Sequence, residues 1–140
     1  MTEQEKAKTL DFLNNWGEGL LAKNLGILFS EITDDSLSAT MPVNENVHQP
    51  FGIMHGGASC VLAETLGSCL SNVFIDTEKF YAVGTNINSN HLRSVRKGVV
   101  TGTARFIRKG KTMHVSEIEI RNEKGDLINH TTMTNNVIAK

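Results

Sequence analysis

The sequence predicts an α+β fold in which an antiparallel sheet packs around one long helix. The helix is predicted over residues 57–74, where GASCVLAETLGSCLSNVF carries a single formally charged side chain, Glu64. The sheet is predicted because four strand-like segments follow, separated by turns in which a basic residue precedes glycine. These segments span residues 80–92, 98–108, 111–122 and 126–138.

The first part of the chain is predicted to hold a shorter helix and two more strands. Residues 3–16 fit a helix with one recurring apolar face, and two glycines are expected to end it. The apolar residues are Leu10, Leu13 and Trp16, and the glycines are Gly17 and Gly19. Alternation over residues 37–43 predicts a strand with 27–33 as its partner. A polar loop, residues 44–54, then leads to His55-Gly56-Gly57.

Length, charge and cysteine spacing exclude several classes of protein. The chain has 140 residues, and we expect residues 1–140 to form one domain. The net charge of −1 gives no electrostatic reason to expect nucleic acid or an anionic membrane as partner. Cys60 and Cys69 lie about 13.5 Å apart along the predicted helix, too far for a disulfide. Free thiols and an N-terminus without an apolar signal segment lead us to expect a cytoplasmic protein.

The long predicted helix has two faces of different character. At about 100° per residue, one face is apolar and is expected to pack on the sheet. It consists of Ala58, Val61, Leu62, Thr65, Leu66, Cys69 and Val73. The other face is expected to present small residues, which admit a second subunit or a ligand, around one carboxylate. It consists of Gly57, Cys60, Glu64, Gly67, Ser68 and Ser71. Because an isolated carboxylate is costly to desolvate, Glu64 is the first candidate for chemistry.

The position of Glu64 along the helix predicts that the site is shared between subunits. Ser68 lies one turn beyond Glu64 and can reach the same site. The rise from Gly57 to Glu64 is roughly 10 Å, so Glu64 is not expected to meet His55 or Gly56 of its own chain. Two antiparallel subunits would bring these groups together, and we therefore expect a homo-oligomer.

Motifs across the chain carry a resemblance to a known family. The segments PFGIMHGGASCVLAETLGS and VGTNINSNHLRS, followed by a Gly-rich turn and further strands, resemble the hotdog-fold acyl-CoA thioesterases. The resemblance covers residues 25–138 and is nearest to the branch with 1,4-dihydroxy-2-naphthoyl-CoA and 4-hydroxybenzoyl-CoA thioesterases. Its spacing is specific: His55 lies six residues after Gln49, Glu64 nine after His55, and Ser68 four after Glu64. The phenylacetyl-CoA thioesterase relatives commonly have Asp in place of this Glu.

The resemblance implies hydrolysis of an acyl-CoA to the free acid and CoA, without a metal or cofactor. The Gly56 N–H at the start of the helix would be the main oxyanion donor. Gln49 and His55 would hold or polarise the thioester. Glu64 of the neighbouring subunit would act as nucleophile or general base, and Ser68 would position it or its water.

The resemblance also implies substrate contacts and an oligomeric state. The substrate-binding candidates are Gly57, His91, Arg93, Arg108, Lys109 and Lys111. His91 resembles a family residue near the acyl group or the water, and the basic residues could bind the CoA phosphates. A dimer, or a tetramer built from dimers, is expected. The Glu on the helix and the Asn90-His91-Leu92-Arg93 segment favour an aromatic or other bulky acyl group.

Each of these assignments has a structural alternative. Glu64 could be a solvated or interface residue, and His55 could simply cap the helix. Ser68 could be a small packing residue, and His91 an ordinary polar residue of a strand. The basic residues at 108–111 could form a solvated turn.

Two other classes of function stay open on the sequence. A hydratase or dehydratase of the same fold also pairs a His with a carboxylate, and it would add water to an enoyl-CoA without releasing thiol. A non-catalytic acyl-CoA-binding module would normally be fused to a further domain, for which 140 residues leave no room. No metal site is predicted, because His48, His114 and His130 lack the spacing of metal ligands.

Overall fold

An antiparallel sheet forms most of the computed structural model, which describes residues 1–16 and 20–140. Within these residues the strands are β1 (Leu28–Ile32), β2 (Ser36–Val43), β3 (Phe80–His91), β4 (Gly98–Lys109), β5 (Met113–Arg121) and β6 (Leu127–Ala139). Their order is β1-β2-β4-β5-β6-β3, and every neighbouring pair is antiparallel. β1 and β3 therefore form the two edges of the sheet.

Three α-helices and one short 3₁₀ turn accompany the sheet in the described residues. They are α1 (Glu3–Asn15), α2 (Leu21–Asn24), the 3₁₀ turn (Glu45–Val47) and α3 (Gly56–Val73). α1 begins with a capping box in which Thr2 and Glu5 satisfy each other's backbone N–H groups. The amide of Asn14 ties α1 to β1, because it bonds both the N–H and the C=O of Phe29, at 2.7 and 2.9 Å.

The structure confirms the predicted α+β architecture. Every predicted strand and both predicted helices are present, with ends within two residues of those predicted. The α2 helix and the 3₁₀ turn escaped prediction because neither is long enough to show a period. Gly17 and Gly19, predicted to end α1, lie outside the described residues.

The described helices do not cross a membrane. None of them combines the length and the apolar composition that a bilayer span requires.

The sheet covers more of α3 than the sequence predicts. Strands β2 to β6 all pack against this helix. At about 100° per residue, its buried residues extend over roughly 220° of the circumference. They are Ala58, Ser59, Leu62, Ala63, Leu66, Gly67, Leu70 and Ser71. The prediction that places Gly67 and Ser71 on the face opposite the sheet is therefore wrong.

The small residues Gly67 and Ser71 serve contacts within the chain. A Cβ at Gly67 would lie 2.6 Å from Met133 Sδ and 3.3 Å from Ser116 Oγ, so glycine lets β5 and β6 approach the helix. The fully buried amide of Asn135 donates to Gly67 O at 2.9 Å and to Ser71 Oγ at 2.8 Å. The face left for a second subunit or a ligand is the narrower strip of Gly57, Cys60, Glu64 and Ser68, which are exposed or half-buried.

His114 on β5 is a buried titratable group in this core. Only 2 % of the residue is exposed, and its ring meets Phe106 edge-on with centroids 5.1 Å apart. Burial lowers the pKa of His114, and the positive charge of Lys109 acts in the same direction, while a hydrogen bond to Gly110 opposes them. The folded protein therefore favours the neutral imidazole.

The lowered pKa of His114 predicts how stability depends on pH. Below the unfolded-state pKa of about 6.5 the unfolded chain binds a proton at this site that the folded chain resists. Stability from this group is complete above that pH and is lost as the pH falls towards the folded-state pKa. We expect urea unfolding midpoints, at one protein concentration, to fall from pH 7.5 to 5.5 more steeply for wild type than for His114→Gln. Equal slopes for the two proteins would contradict the assignment.

Candidate functional site

The start of α3 is shaped by the His55 imidazole. His55 is the N-cap residue, and its Nδ1 accepts a 2.7 Å hydrogen bond from the Gly57 N–H. A Cβ at Gly57 would lie 2.8 Å from Nδ1, so glycine permits this close cap. Because Nδ1 accepts from a backbone donor, the ring proton of the neutral imidazole lies on Nε2, which remains able to donate. His55 therefore does cap α3 through Nδ1, and its Nε2 is still able to take part in substrate binding or catalysis.

Gly56 presents an unused donor at the positive end of α3. Its N–H bonds to no group in the described residues, in contrast to the neighbouring Gly57 N–H. The His91 ring packs against Gly56, because a Cβ there would lie 2.8 Å from His91 Nε2 and 2.9 Å from Cε1. A helix N-terminus with a free N–H favours developing negative charge nearby.

Gln49 lies beside this N-terminus. Its backbone N–H bonds to Ile53 O at 2.9 Å, and its side-chain oxygen accepts from the Phe51 N–H. Its amide NH₂ keeps its donors for another group. Gln49 lines a cleft of about 380 Å³ together with Gly56, His91 and Arg93. The structure thus brings these four predicted site residues together.

The His91 side chain contacts Asn129, a residue that the sequence did not predict as part of the site. Its Nδ1 lies 3.1 Å from the amide nitrogen of Asn129 on β6, and Asn129 is fully buried. The register of the sheet pairs His91 with Asn129 directly. The sequence pattern that could have indicated Asn129 is strand alternation, which places Asn129, Thr131 and Met133 on one face of β6.

Glu64 lies at a different place, on the exposed strip of α3. Its Oε1 is 3.2 Å from where a Cβ at Gly84 would lie, so the carboxylate sits over β3. No hydrogen bond or ion pair to Glu64 forms among the described residues. It lies eight positions along the helix from Gly56, a rise of about 12 Å. The structure therefore does not bring Glu64 together with the Gly56 N–H within one chain.

Ser68 belongs to the same strip of α3 as Glu64 and also lines an apolar cavity. The cavity has a volume of about 660 Å³ and lies between α1, the second half of α3 and the start of β3. Its lining includes Phe12, Trp16, Phe80 and Tyr81. Ser68 is half-buried at its wall. The site can therefore offer an apolar compartment next to a hydroxyl group.

The predicted phosphate-binding residues fall into two groups. Arg93 lines the cleft beside Gly56, and its guanidinium is 3.5 Å from Asp126 Oδ2. Lys109 instead lies near the other end of α3, with its Nζ 5.2 Å from the centre of the Phe74 ring. Arg108 and Lys111 flank Lys109 in sequence and are exposed. Because the 18 residues of α3 rise about 27 Å, Arg93 and Lys109 cannot meet one small group in the same chain.

The cysteine and histidine side chains give little support for thiol nucleophile or metal chemistry. Burial raises the pKa of the Cys69 thiol to about 11, so it is a poor nucleophile at neutral pH. Cys60 and Cys69 are free thiols, as predicted. In residues 1–16 and 20–140, no three His, Cys, Asp or Glu side chains are grouped as metal ligands. That activity needs no metal remains a prediction.

Comparison with known proteins identifies the family. A model of the thioesterase superfamily matches residues 51–129. The chain is 44% identical to 1,4-dihydroxy-2-naphthoyl-CoA hydrolase of Escherichia coli over 130 residues, covering 93% of this chain and 95% of the relative. It is 42% identical to the proofreading thioesterase EntH of Cronobacter sakazakii over 117 residues, covering 84% and 85%. A mutant of thioesterase PA1618 from Pseudomonas aeruginosa has the same fold, with a TM-score of 0.92, 43% identity and 94% of each chain covered.

These relatives confirm the predicted hotdog fold and the predicted class of enzyme, in preference to a hydratase or a binding module. The chain belongs to the thioesterase superfamily and is a thioester hydrolase.

Proposed function

We propose that this enzyme hydrolyses an aromatic or other bulky acyl-CoA to the free acid and CoA, at a site shared by two subunits. The observation that carries the proposal is the unused Gly56 N–H at the start of α3, with Gln49 and His91 in the same cleft and His55 as the adjacent N-cap residue. Thioester hydrolysis requires donors where negative charge develops on the carbonyl oxygen. It also requires a carboxylate or an activated water at the carbonyl carbon.

The donor side of the proposed site is formed by one chain. The Gly56 N–H would donate to the thioester oxygen. The positive end of the α3 dipole would strengthen this hydrogen bond as negative charge develops on that oxygen. His55 would donate from Nε2, because its Nδ1 is occupied by the Gly57 N–H. The free amide NH₂ of Gln49 is a third donor beside the cleft.

The carboxylate side is proposed to come from Glu64 of a partner copy of the chain. Within one chain Glu64 is about 12 Å along α3 from Gly56, so it cannot act on a carbonyl bound there. As nucleophile it would attack the thioester carbon and displace CoA as the thiolate, leaving an anhydride that water then opens to the free acid and the Glu64 carboxylate. As general base it would instead deprotonate a water that attacks the same carbon and displaces the CoA thiolate. Ser68, one turn away, would hold the carboxylate or that water.

The edge strand β3 offers the surface for such a partner. It is 12 residues long, and no strand in the described residues pairs with its outer edge. Tyr81 and Val83 expose 42% and 37% of their surface there. A long unpaired edge with exposed apolar side chains favours pairing with another strand. We propose a dimer through β3, which would extend the sheet and bring a second α3 alongside the first; two such dimers could form a tetramer.

The acyl group is proposed to enter the apolar cavity beside Ser68. Its aromatic lining and its volume of about 660 Å³ suit a ring or another bulky group. The 44% identity to a hydrolase of 1,4-dihydroxy-2-naphthoyl-CoA supports an aromatic acyl group as well. The CoA phosphates would meet Arg93 from one chain and, in a dimer, Arg108, Lys109 and Lys111 from the other.

We further propose that residues 1–140 act as one domain and that the enzyme works in the cytoplasm. One hydrophobic cluster links β1, β2, α3, β4, β5 and β6, which supports a single folding unit. The free thiols of Cys60 and Cys69 suit a reducing compartment.

Substitution of Glu64 tests the proposed chemistry. Glu64→Ala should lower kcat by about 10²–10⁴-fold with little change in KM, because the carboxylate acts in the transition state. Glu64→Asp should keep part of the activity. Glu31→Gln, on the exposed edge strand β1, is the matched control and should behave as wild type. The measurement is thiol release from benzoyl-CoA, and near-normal turnover by folded Glu64→Ala would refute the role.

The choice of acyl group is tested by comparing kcat/KM for benzoyl-CoA, hexanoyl-CoA and palmitoyl-CoA. We expect benzoyl-CoA to be preferred, because aromatic side chains line the cavity beside Ser68. A preference for a straight chain by more than about tenfold, or about 1.4 kcal/mol, would exclude the aromatic assignment. Thioesterase activity itself would stand in that case.

A further inference from the structure

The amide of Asn129 lies buried behind the donor side of the site. Asn129 on β6 has no exposed surface, and its neighbour across the strand pair is His91. Burial of an amide is costly unless its hydrogen-bonding groups are used. Here they are used by three side chains, which belong to Ser89, His91 and Thr131.

Asn129, Ser89 and Thr131 form a closed cycle of hydrogen bonds. The amide nitrogen of Asn129 donates to Ser89 Oγ at 2.8 Å, and Thr131 Oγ1 donates to the amide oxygen at 2.7 Å. The two hydroxyl groups lie 2.8 Å apart. If Thr131 donates to Asn129, the hydroxyl of Ser89 donates to Thr131, and each hydroxyl hydrogen in the cycle is used once.

The number of partners at each end of the amide determines which end faces His91. The oxygen position has one partner, Thr131, whereas the nitrogen position has two, Ser89 and His91. The orientation in the structure therefore gives both amide hydrogens an acceptor. Exchange of the oxygen and nitrogen would leave one buried amide hydrogen without a partner, which costs about 1–3 kcal/mol.

The orientation of Asn129 in turn selects the tautomer of His91. Its amide hydrogen points at His91 Nδ1 over 3.1 Å, so Nδ1 accepts and the ring proton lies on Nε2. A proton on Nδ1 would face the donating NH₂ group. The Nε2 edge is the side of the ring that packs against Gly56. His91 can thus present a donor at the same helix N-terminus as the Gly56 N–H.

We propose that Asn129 is a positioning residue that holds His91 as a neutral imidazole with its Nε2–H directed at the Gly56 site. His91 would donate from Nε2 to the thioester oxygen or to the attacking water, and Asn129 acts through His91 without touching substrate. The proposal deepens the proposed function and rests on it for the role of His91. The tautomer itself does not depend on the substrate.

The tautomer can be measured on the wild-type protein by ¹⁵N NMR of its imidazole rings, without substrate. Loss of one set of signals in His91→Ala assigns His91. We expect an unprotonated Nδ1 and a protonated Nε2 at pH 8. In Asn129→Asp the new carboxylate accepts from the ring, and Nδ1 should become protonated. A wild-type His91 protonated on Nδ1 would overturn the proposal, whatever the enzyme hydrolyses.

Kinetics then test whether Asn129 acts through His91. Asn129→Asp should lower kcat for thiol release from benzoyl-CoA by roughly tenfold or more, since a positioned donor contributes on the order of 10²–10⁴-fold. In a His91→Ala background the same substitution should have little further effect.

Asn135→Asp is the matched control, because Asn135 is a fully buried amide on the same strand that bonds to Gly67 and Ser71. In the double variant Asn135→Asp with His91→Ala, the fold-reduction in kcat should equal the product of the two single reductions. If the reductions in kcat caused by Asn129→Asp and His91→Ala also multiply in their double variant, Asn129 has only a structural role and the proposal fails.

Discussion

The rigid rise of α3 between Gly56 and Glu64 is the constraint on which the site depends. It separates the free N–H from the carboxylate by about 12 Å. Neither end can shift easily, because Gly56 packs on His91, Glu64 sits over Gly84, and five strands pack against the helix. In the proposed mechanism, one chain therefore supplies either the donors or the carboxylate to a given thioester. The unpaired edge of β3 is where the proposed second chain would join.

The donor side illustrates how backbone and side chains can prepare two histidines for the same task by different means. The Gly57 N–H occupies Nδ1 of His55, and in our proposal the Asn129 amide occupies Nδ1 of His91. Both rings would then be neutral with a proton on Nε2. Neutral donors suit a site that stabilises negative charge on oxygen, and in the proposed mechanism the role of base or nucleophile falls to Glu64.

Much of the fold could be predicted from the sequence because the spacing of apolar residues and the positions of turn residues indicate the same helices and strands over long segments. The long strands and α3 are examples, and the motif around His55 and Glu64 indicated the family. The burial of Gly67 and Ser71 could not be predicted, because it depends on how far the sheet extends around α3. Asn129 was missed for a related reason: a polar residue in a strand reveals its partner only when the register with β3 is known.

The shared site is tested most directly by mixing two inactive proteins, Glu64→Ala and the double variant Gln49→Ala with His55→Ala. After subunit exchange, verified by mass spectrometry, half of the dimers contain one copy of each. Every such dimer should have one intact site, so a 1:1 mixture should recover about a quarter of the wild-type activity. A mixture that stays inactive after complete exchange would contradict a site built from two chains.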